Sequence, residues 1–254
     1  MSVMMMYLEK IILGLKDVGA GIDGINSKIF KLTYKPILPK LSYFFNLCLT
    51  SGIFPKLLKI AVVKPIYKSG DCDSLSNYRP ISILPVISKI LEKIIYLQIS
   101  NFINEENIIS RSQFGFRKKH STYMPIMLIQ EYITKALENN NIVVGIYLDL
   151  SKAFDTVDHE ILCRKLNAIG LRGIILKMLK SYLMERTQVV KIKGVYSSPK
   201  TIGIGVPQGS ILGPLFFILY INDIINLNIE GQFLLYADDT AIFSNTKTYI
   251  HYNA

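Results

Sequence analysis

Three aspartates stand out because each ends or interrupts an apolar run rich in β-branched residues. Asp149 closes NIVVGIYLDL at residues 141–150, and Asp238 and Asp239 lie at the centre of QFLLYADDTAIFS at residues 232–244. Carboxylate oxygens are the hard ligands that Mg²⁺ prefers, and paired metal ions serve the transfer of phosphoryl and nucleotidyl groups. The alternative is structural, because Asp also favours turns and the ends of secondary-structure elements.

The elements around these aspartates must bring them together for such chemistry. The first run predicts a buried strand that ends at Asp149, and the second predicts a strand, a two-residue turn and a strand, with Asp238 and Asp239 at the tip. Asp149 and Asp238 are 89 residues apart in sequence. Adjacent central strands of one sheet would place them side by side.

Helices alternate with the predicted strands along the chain. Helical spacing of apolar residues is predicted near the N-terminus, over residues 87–95, after Thr122, between an N-cap at Asp158 and Gly170, and over residues 174–183. A strand is predicted from residue 61, a hairpin in QVVKIKG and KTIGIG, and a buried helix in PLFFILYINDII at residues 214–225. The interleaving predicts a mixed α/β or α+β fold.

Composition limits the classes of partner. The 254 residues include 29 Lys and Arg against 19 Asp and Glu, a net charge of +10 that favours a polyanion such as nucleic acid or an acidic membrane surface. The apolar run at residues 215–221 is too short to span a bilayer, and the N-terminus lacks the basic start and cleavage site of a signal peptide. The three cysteines are too few for a disulfide framework. We therefore expect an intracellular protein of the nucleus or cytoplasm, without a membrane partner.

Six segments in order resemble one known family. They are GIDGIN at 21–26, NYRPISILPVISKILEKI at 77–94, QFGFRKKHST at 113–122, LDLSKAFDTVDH at 148–159, GVPQGSILGPLFFILYINDI at 205–224 and YADD at 236–239. Together they resemble the reverse transcriptase domain of non-LTR (LINE-type) retrotransposons, over roughly residues 20–245. Six such segments in the right order are far more specific than YADD alone.

The resemblance implies a right-hand polymerase of α+β class, with an antiparallel palm sheet and packed helices. By resemblance, residues 1–60 form an N-terminal extension and the start of the fingers, 61–140 the fingers, and 141–254 the palm. The chain stops 15 residues after Asp239, so we expect the thumb to be absent and extension of a primer by this chain alone to be poor.

The resemblance also implies the catalytic residues and their cofactor. Asp149 and Asp238 would bridge two Mg²⁺ ions, with Mn²⁺ as the alternative ion, and Asp239 would complete the acidic cluster with a weaker contact. The implied reaction is that of an RNA-directed DNA polymerase, a nucleotidyltransferase acting on an RNA template, a DNA primer and deoxynucleoside triphosphates. The oligomeric state is not implied.

Further residues are implied to bind the nucleotide. Lys68 and Arg79 resemble the fingers residues that grip the triphosphate, with Lys64 as a rival to Lys68. Gln208 would lie near the nucleotide and the templating base. Phe154 would pack under the sugar and exclude a 2′-hydroxyl, and the alternative is an ordinary core position.

A last group is implied to contact template or primer: Arg117, Lys118, Lys119, Gly205 and Gly209. Basic residues beside aromatic ones fit a nucleic-acid track, although a solvated surface is about as good an explanation. Two functions remain as alternatives to the retrotransposon polymerase. One is a catalytically inactive, element-derived fragment that binds nucleic acid, and the other is a different palm polymerase, such as an intron-encoded or telomerase-like enzyme.

Overall fold

The computed structural model describes residues 3–17 and 19–247, with eight α-helices and eight strands among them. The helices are α1 (Val3–Leu13), α2 (Ser27–Thr33), α3 (Leu38–Ser51), α4 (Val86–Glu105), α5 (Tyr123–Glu138), α6 (His159–Ala168), α7 (Gly173–Leu183) and α8 (Gly213–Tyr220). The strands are β1 (Ile60–Tyr67), β2 (Tyr78–Ile83), β3 (Ile142–Asp149), β4 (Arg186–Ile192), β5 (Val195–Tyr196), β6 (Lys200–Ile202), β7 (Gln232–Tyr236) and β8 (Asp239–Thr246). None of the described helices combines the length and hydropathy needed to cross a bilayer.

The chain divides into two compact units, each assembled from two separate stretches. Unit 1 comprises residues 1–102 and 154–216, and unit 2 comprises residues 103–153 and 217–254. The linear division expected from the sequence, at residues 60 and 140, therefore does not coincide with these units. The division into fingers and palm stays a prediction.

Unit 1 contains a sheet in the order β2, β1, β4, β5, with β6 also paired to β4. The predicted hairpin is confirmed, because β4 and β6 are antiparallel and Thr187 lies opposite Thr201. Strand β4 also runs parallel to β1, with Val62 opposite Val189. Local sequence patterns gave no sign of this second pairing, since it joins residues more than 120 positions apart.

The helices of unit 1 bury aromatic side chains between them. Tyr182 of α7 is fully buried, and its ring meets those of Phe54 and Phe216 edge-on at 5.0 and 5.8 Å between centroids. Buried Lys59 donates from Nζ to the carbonyl oxygens of Ser181 and Met184, at the C-terminal end of α7. A cation there satisfies carbonyls that the helix leaves unpaired, and burial lowers the pKa of the Lys59 ammonium.

A buried carboxyl group binds the backbone at the start of α8. Glu92 of α4 is fully buried, and its Oε2 accepts hydrogen bonds from the backbone N–H groups of Ile211 and Leu212 at 2.7 and 3.2 Å. These donors immediately precede α8, where backbone N–H groups otherwise lack partners. Burial raises the pKa of the Glu92 carboxyl, against the effects of Arg186, these two N–H groups and Lys89.

Unit 2 is built on an antiparallel sheet in the order β3, β8, β7. Phe114, Leu234 and Phe243 form a buried hydrophobic cluster in it, and side chains of α5, including Leu128, Ile129 and Tyr132, pack against them. The predicted strand ending at Asp149 and the predicted YADD hairpin are therefore both present. They are also neighbours, as expected.

Two details of this sheet differ from the sequence prediction. Strand β3 is exposed over residues 144–149 rather than buried, because it lies at an edge of the described sheet and β8 is the central strand. The apolar run was therefore a correct sign of a strand but a wrong sign of burial. In the hairpin, the two-residue turn consists of Ala237 and Asp238, and Asp239 already belongs to β8.

Candidate active site

The three aspartates come together at one end of the unit 2 sheet. Asp149 ends β3 and lies directly opposite Asp239, the first residue of β8, while Asp238 occupies the adjoining turn. Directly opposed residues of an antiparallel pair project from the same face, with Cβ atoms about 4.5–5.5 Å apart. The strand register thus brings together two carboxylates that are 90 positions apart in sequence.

The turn that carries Asp238 has an unusual backbone. Tyr236 and Asp239 close the hairpin, and Ala237, the first turn residue, has φ of +60°. Residues other than glycine rarely adopt a left-handed conformation, because Cβ then approaches the backbone. Two-residue hairpins nevertheless need such a turn to match the twist of their strands.

The donor set fits a hard divalent cation. Asp149 and Asp239 are exposed and Asp238 is half-buried, and within the described residues none of the three forms an ion pair. Their oxygens do not all lie within 4.8 Å of one another, whereas those of exposed Asp71 and Asp73 and the Cys72 sulfur do, in a loop of unit 1. Sharing one ion therefore requires the three aspartate side chains to turn toward each other.

The candidate triphosphate residues lie on the β1–β2 ribbon of unit 1. Arg79 lies opposite Ile66, and Lys64 and Lys68 flank Ile66 at two positions on either side. Because side chains alternate along a strand, Lys64 and Arg79 project from one face. Lys68 follows the last residue of β1, and its N–H donates to the Asn77 carbonyl at 2.8 Å, which continues the same alternation. All three are exposed. The register gives Lys64 and Lys68 equivalent places beside Arg79, so both stay candidates.

Gln208 has a defined partner that the sequence did not suggest. Its Nε2 donates to both carboxylate oxygens of Asp155 at 3.0 and 3.2 Å, and its backbone oxygen accepts from the Ser82 N–H of β2 at 2.7 Å. Phe154, in the position before Asp155, is half-buried in a short 3₁₀-helix, and its carbonyl accepts from Val206. Asp155, Val206 and Gln208 line a cavity of about 270 Å³ within unit 1.

Gly205 and Gly209 allow a close approach, but to the protein's own backbone. Their φ angles are +84° and +108°, and a Cβ on either would lie 2.7 Å from the carbonyl oxygen of Asp155 or Ser82, respectively. The His159 ring also contacts the Gly205 carbonyl oxygen, at 2.7 Å. Contact of these glycines with template or primer stays a prediction.

The basic residues that follow the QFGF motif differ in their contacts. Arg117 is half-buried and donates from Nη1 to the carbonyl oxygens of Ser110 and Gln113, and burial lowers its pKa. Lys118 and Lys119 are exposed. Arg117 therefore serves the fold of its own loop, while the two lysines remain available to a polyanion.

Comparison with known proteins decides the family. The sequence model of the family described as reverse transcriptase (RNA-dependent DNA polymerase) matches residues 66–253. The chain belongs to the reverse transcriptase family. The resemblance read from the six motifs is thereby confirmed.

The curated relatives of this chain include RNA-directed DNA polymerases from mobile elements of Drosophila. It is 34% identical over 236 residues to the RNA-directed DNA polymerase from mobile element jockey of Drosophila melanogaster, covering 90% of this chain and 26% of that protein. It is 32% identical over 253 residues to the probable RNA-directed DNA polymerase from transposon BS of the same species, covering 94% and 28%. The chain thus spans about a quarter of the length of these relatives.

Solved structures confirm the fold. A telomerase from Candida tropicalis, in complex with a TWJ fragment of telomeric RNA, superposes with a TM-score of 0.56 at 15% identity, over 88% of this chain and 41% of that one. The apo telomerase truncated from its C-terminal domain gives 0.53 at 17% identity, over 82% and 49%. The expected α+β fold of a fingers-and-palm polymerase is therefore confirmed.

Two residues of the site escaped sequence interpretation. Asp155 binds Gln208 across 53 positions, and Gln113 of the QFGF motif binds the hairpin turn across 124 positions. Both lie inside motifs that were recognised for their resemblance. Their partners could not be found by local spacing, because hydrogen bonds between distant segments leave no periodic pattern in one sequence.

Proposed function

We propose that this chain is the polymerase core of a non-LTR retrotransposon reverse transcriptase. It would add deoxynucleotides to the 3′-end of a DNA primer on an RNA template, inside the cell, in the nucleus or cytoplasm. The observation that carries the proposal is the register that sets Asp149 opposite Asp239, with Asp238 in the adjoining turn. Membership of the family supports the same reaction.

The aspartates are proposed to hold two Mg²⁺ ions, with Mn²⁺ as a substitute. Asp149 and Asp238 would each contact both ions, and Asp239 would make a weaker contact. The chemistry that such ions supply when bound is activation of the primer hydroxyl and neutralisation of charge on the triphosphate. The short turn fixes the backbone of Asp238 next to the strand pair, and rotation of the side chains would bring the carboxylates onto a shared ion.

Residues of unit 1 are proposed to bind the incoming nucleotide. A guanidinium at Arg79 and an ammonium at Lys68 or Lys64 suit phosphate oxygens, and the shared face of the ribbon supports their acting together. Gln208 would contact the nucleotide, and Asp155 fixes its amide. Phe154 would exclude ribonucleotides by the bulk of its ring.

The proposed template and primer contacts are those of exposed basic side chains. Lys118 and Lys119 meet this requirement, whereas Arg117 already binds two carbonyl oxygens and would contribute mainly long-range charge. Gly205 and Gly209 would act through the backbone shape that they permit. The net charge of +10 supports a polyanionic partner of this kind.

Primer extension tests the proposal directly. Because this chain alone is expected to extend a primer poorly, the assay uses the 254-residue chain fused to the thumb of a related reverse transcriptase. The fusion, an RNA template and a labelled DNA primer are incubated with Mg²⁺ and deoxynucleotides, beside the same fusion carrying Asp238→Asn. Extension that disappears in the variant supports the proposal, because the isosteric amide removes the charge that holds the ions. Extension at the wild-type rate in Asp238→Asn would contradict the assignment of this residue.

A second candidate function is binding of nucleic acid without catalysis. The observation that favours it is the excess positive charge, which needs no active site to attract a polyanion. Binding of the same primer–template, measured against salt in the same preparation, separates the two. Salt-dependent binding without extension by the thumb-bearing protein supports this second function, and the absence of both binding and extension contradicts both functions.

A further inference from the structure

A segment of the QFGF motif lies along the outer side of the catalytic hairpin in unit 2. The Phe114 N–H donates to the Leu235 carbonyl, and the Leu235 N–H donates to the Ser112 carbonyl, both at 2.8 Å. Gln113 forms a parallel bridge with Leu235. Residues 112–115 therefore extend the sheet beyond β7, on the side that β8 does not occupy.

From this position the Gln113 side chain reaches the hairpin turn. It is 1% exposed, and its Oε1 accepts from the backbone N–H groups of Gly115 at 2.8 Å and Ala237 at 3.1 Å. Ala237 is itself 7% exposed and carries the left-handed φ of +60°. One buried side-chain oxygen thus satisfies the N–H of the strained turn residue that directly precedes Asp238.

Gly115 shows how closely the two segments fit. A Cβ added at this glycine would lie 2.1 Å from the Ala237 nitrogen and 2.8 Å from its Cα. No side chain fits between the segment and the turn, so the contact depends on glycine. The backbone of the segment and the backbone of the turn are in direct contact.

We propose that Gln113 is a positioning residue that holds the turn of Ala237 and Asp238 in its left-handed form and so fixes where the Asp238 carboxylate is presented. This inference rests on the proposed function, in which Asp238 is a metal ligand. Without the Gln113 oxygen, a buried N–H loses its acceptor, and a strained turn relaxes when its support is removed. Gln113 touches neither metal nor substrate in this role.

The loop that carries Gln113 has other supports, so the side chain can be changed separately. Arg117 donates to the Gln113 backbone carbonyl oxygen. The backbone bridge to Leu235 does not involve the side-chain amide of Gln113. Gln113→Met keeps the length of the side chain and removes the acceptor. Gln113→Glu is isosteric and keeps an oxygen at the same place.

The test measures amide hydrogen exchange and Mn²⁺ affinity, neither of which needs catalysis. In Gln113→Met, exchange at Ala237 is expected to rise roughly tenfold or more and Mn²⁺ affinity to fall roughly tenfold, since a buried donor has lost its partner. In Gln113→Glu, protection of Ala237 and binding of Mn²⁺ are expected to be retained. If Gln113→Met does not fold, Gln113→Asn, whose shorter side chain cannot reach Ala237, takes its place.

A matched control comes from Asn222, also in unit 2. Its side chain accepts from the Ser110 N–H and donates to the Ile108 carbonyl, both at 2.9 Å, and so makes two backbone hydrogen bonds, neither of them to the turn. Asn222→Leu should lower the melting temperature without changing Mn²⁺ affinity. Equal losses of Mn²⁺ affinity in Asn222→Leu and Gln113→Met would overturn the inference, as would wild-type exchange at Ala237 in Gln113→Met.

Asp238→Asn in the same titration separates this inference from the proposed function. Wild-type Mn²⁺ affinity in Asp238→Asn would mean that Asp238 is not a ligand, and the proposed function fails. Weak binding in Asp238→Asn together with normal binding in Gln113→Met would overturn the positioning role alone.

Discussion

Asp149 and Asp239 lie directly opposite each other on the antiparallel strands β3 and β8. Two like charges in this arrangement repel, and the cost to the sheet is about 0.2–1 kcal/mol. Within the described residues, no basic side chain forms an ion pair with either one. The pairing is therefore unfavourable for the free protein and becomes favourable when a cation lies between the carboxylates.

Removing the charge of one of these two aspartates should stabilise the metal-free protein. Asp239→Asn is expected to raise the free energy of unfolding in EDTA by about 0.2–1 kcal/mol, because the repulsion is removed. Adding Mg²⁺ should then stabilise the wild type more than the variant, since binding to the folded state adds to stability. Thermal unfolding with and without Mg²⁺ measures both. Glu106→Gln, at an exposed position of the same unit, is the control, and a matching gain there would mean that only net charge matters.

Phe154 should set the preference for deoxynucleotides. Phe154→Ala is expected to raise the kcat/KM for ribonucleotides relative to deoxynucleotides by roughly tenfold or more, since a steric mismatch of this kind is worth about 1–3 kcal/mol. Phe154→Tyr keeps the ring and should leave the ratio unchanged. Single-nucleotide extension with both substrates gives the two ratios. An unchanged ratio in Phe154→Ala would show that the half-buried ring only packs against its neighbours.

The buried carboxyl of Glu92 should make stability depend on pH. Burial raises its pKa in the folded state above the ordinary 4.5, so the folded protein holds the proton more tightly than the unfolded chain. The contribution of Glu92 to stability is therefore complete below about pH 4.5 and is lost as pH rises through the folded-state pKa. The slope can reach about 1.4 kcal/mol per pH unit. Arg186 and Lys89 act in the opposite direction by stabilising the carboxylate.

Glu92→Gln should remove this dependence. The amide oxygen can still accept from Ile211 or Leu212, while no proton is exchanged, so the variant should gain stability relative to the wild type as pH rises from about 4.5 to neutral. Urea unfolding at several pH values measures the difference. Glu105→Gln, at the exposed end of the same helix, is the control. A difference between wild type and Glu92→Gln that does not change with pH would contradict the raised pKa.

Sequence patterns predicted the elements of the site better than its environment. The run ending at Asp149 and the hairpin around Asp238 were found, because alternation and turn residues are local signals. The exposure of β3 was not predicted, because a continuous apolar run does not distinguish an edge strand from a central strand. The parallel pairing of β1 with β4 and the hydrogen bond from Ala237 to Gln113 both join distant segments, and only the folded chain brings those together.

The exposed lysines after the QFGF motif should contribute to binding of nucleic acid through charge. Lys118→Gln is expected to weaken binding of primer–template at low salt and to reduce the slope of log K against log salt by about 1, as for one lost phosphate contact. Lys135→Gln is the control, because Lys135 is also exposed but is paired with Glu131 on α5. Fluorescence anisotropy across salt concentrations gives the slopes. Equal changes in both variants would show that binding senses only net charge.

Asp155 and Gln208 depend on each other in the proposed nucleotide contact. Gln208 donates from one nitrogen to both oxygens of the Asp155 carboxylate, a geometry that fixes the side-chain amide. Hydrogen bonds to a charged group contribute about 1.5–3 kcal/mol. The amide orientation is therefore set by Asp155 before any nucleotide arrives.

Removing the Asp155 carboxylate should consequently weaken the use of deoxynucleotides as much as removing the Gln208 side chain does. Asp155→Leu is expected to raise KM for deoxynucleotides roughly tenfold, with a smaller effect on kcat, because Gln208 is no longer held in the orientation that binds substrate. Gln208→Leu should do the same, and the double variant should be no worse than either single one. Steady-state extension with the four proteins forms a double-mutant cycle. If the loss of kcat/KM in the double variant equals the product of the losses in the two single variants, the two residues act independently and Asp155 does not orient Gln208.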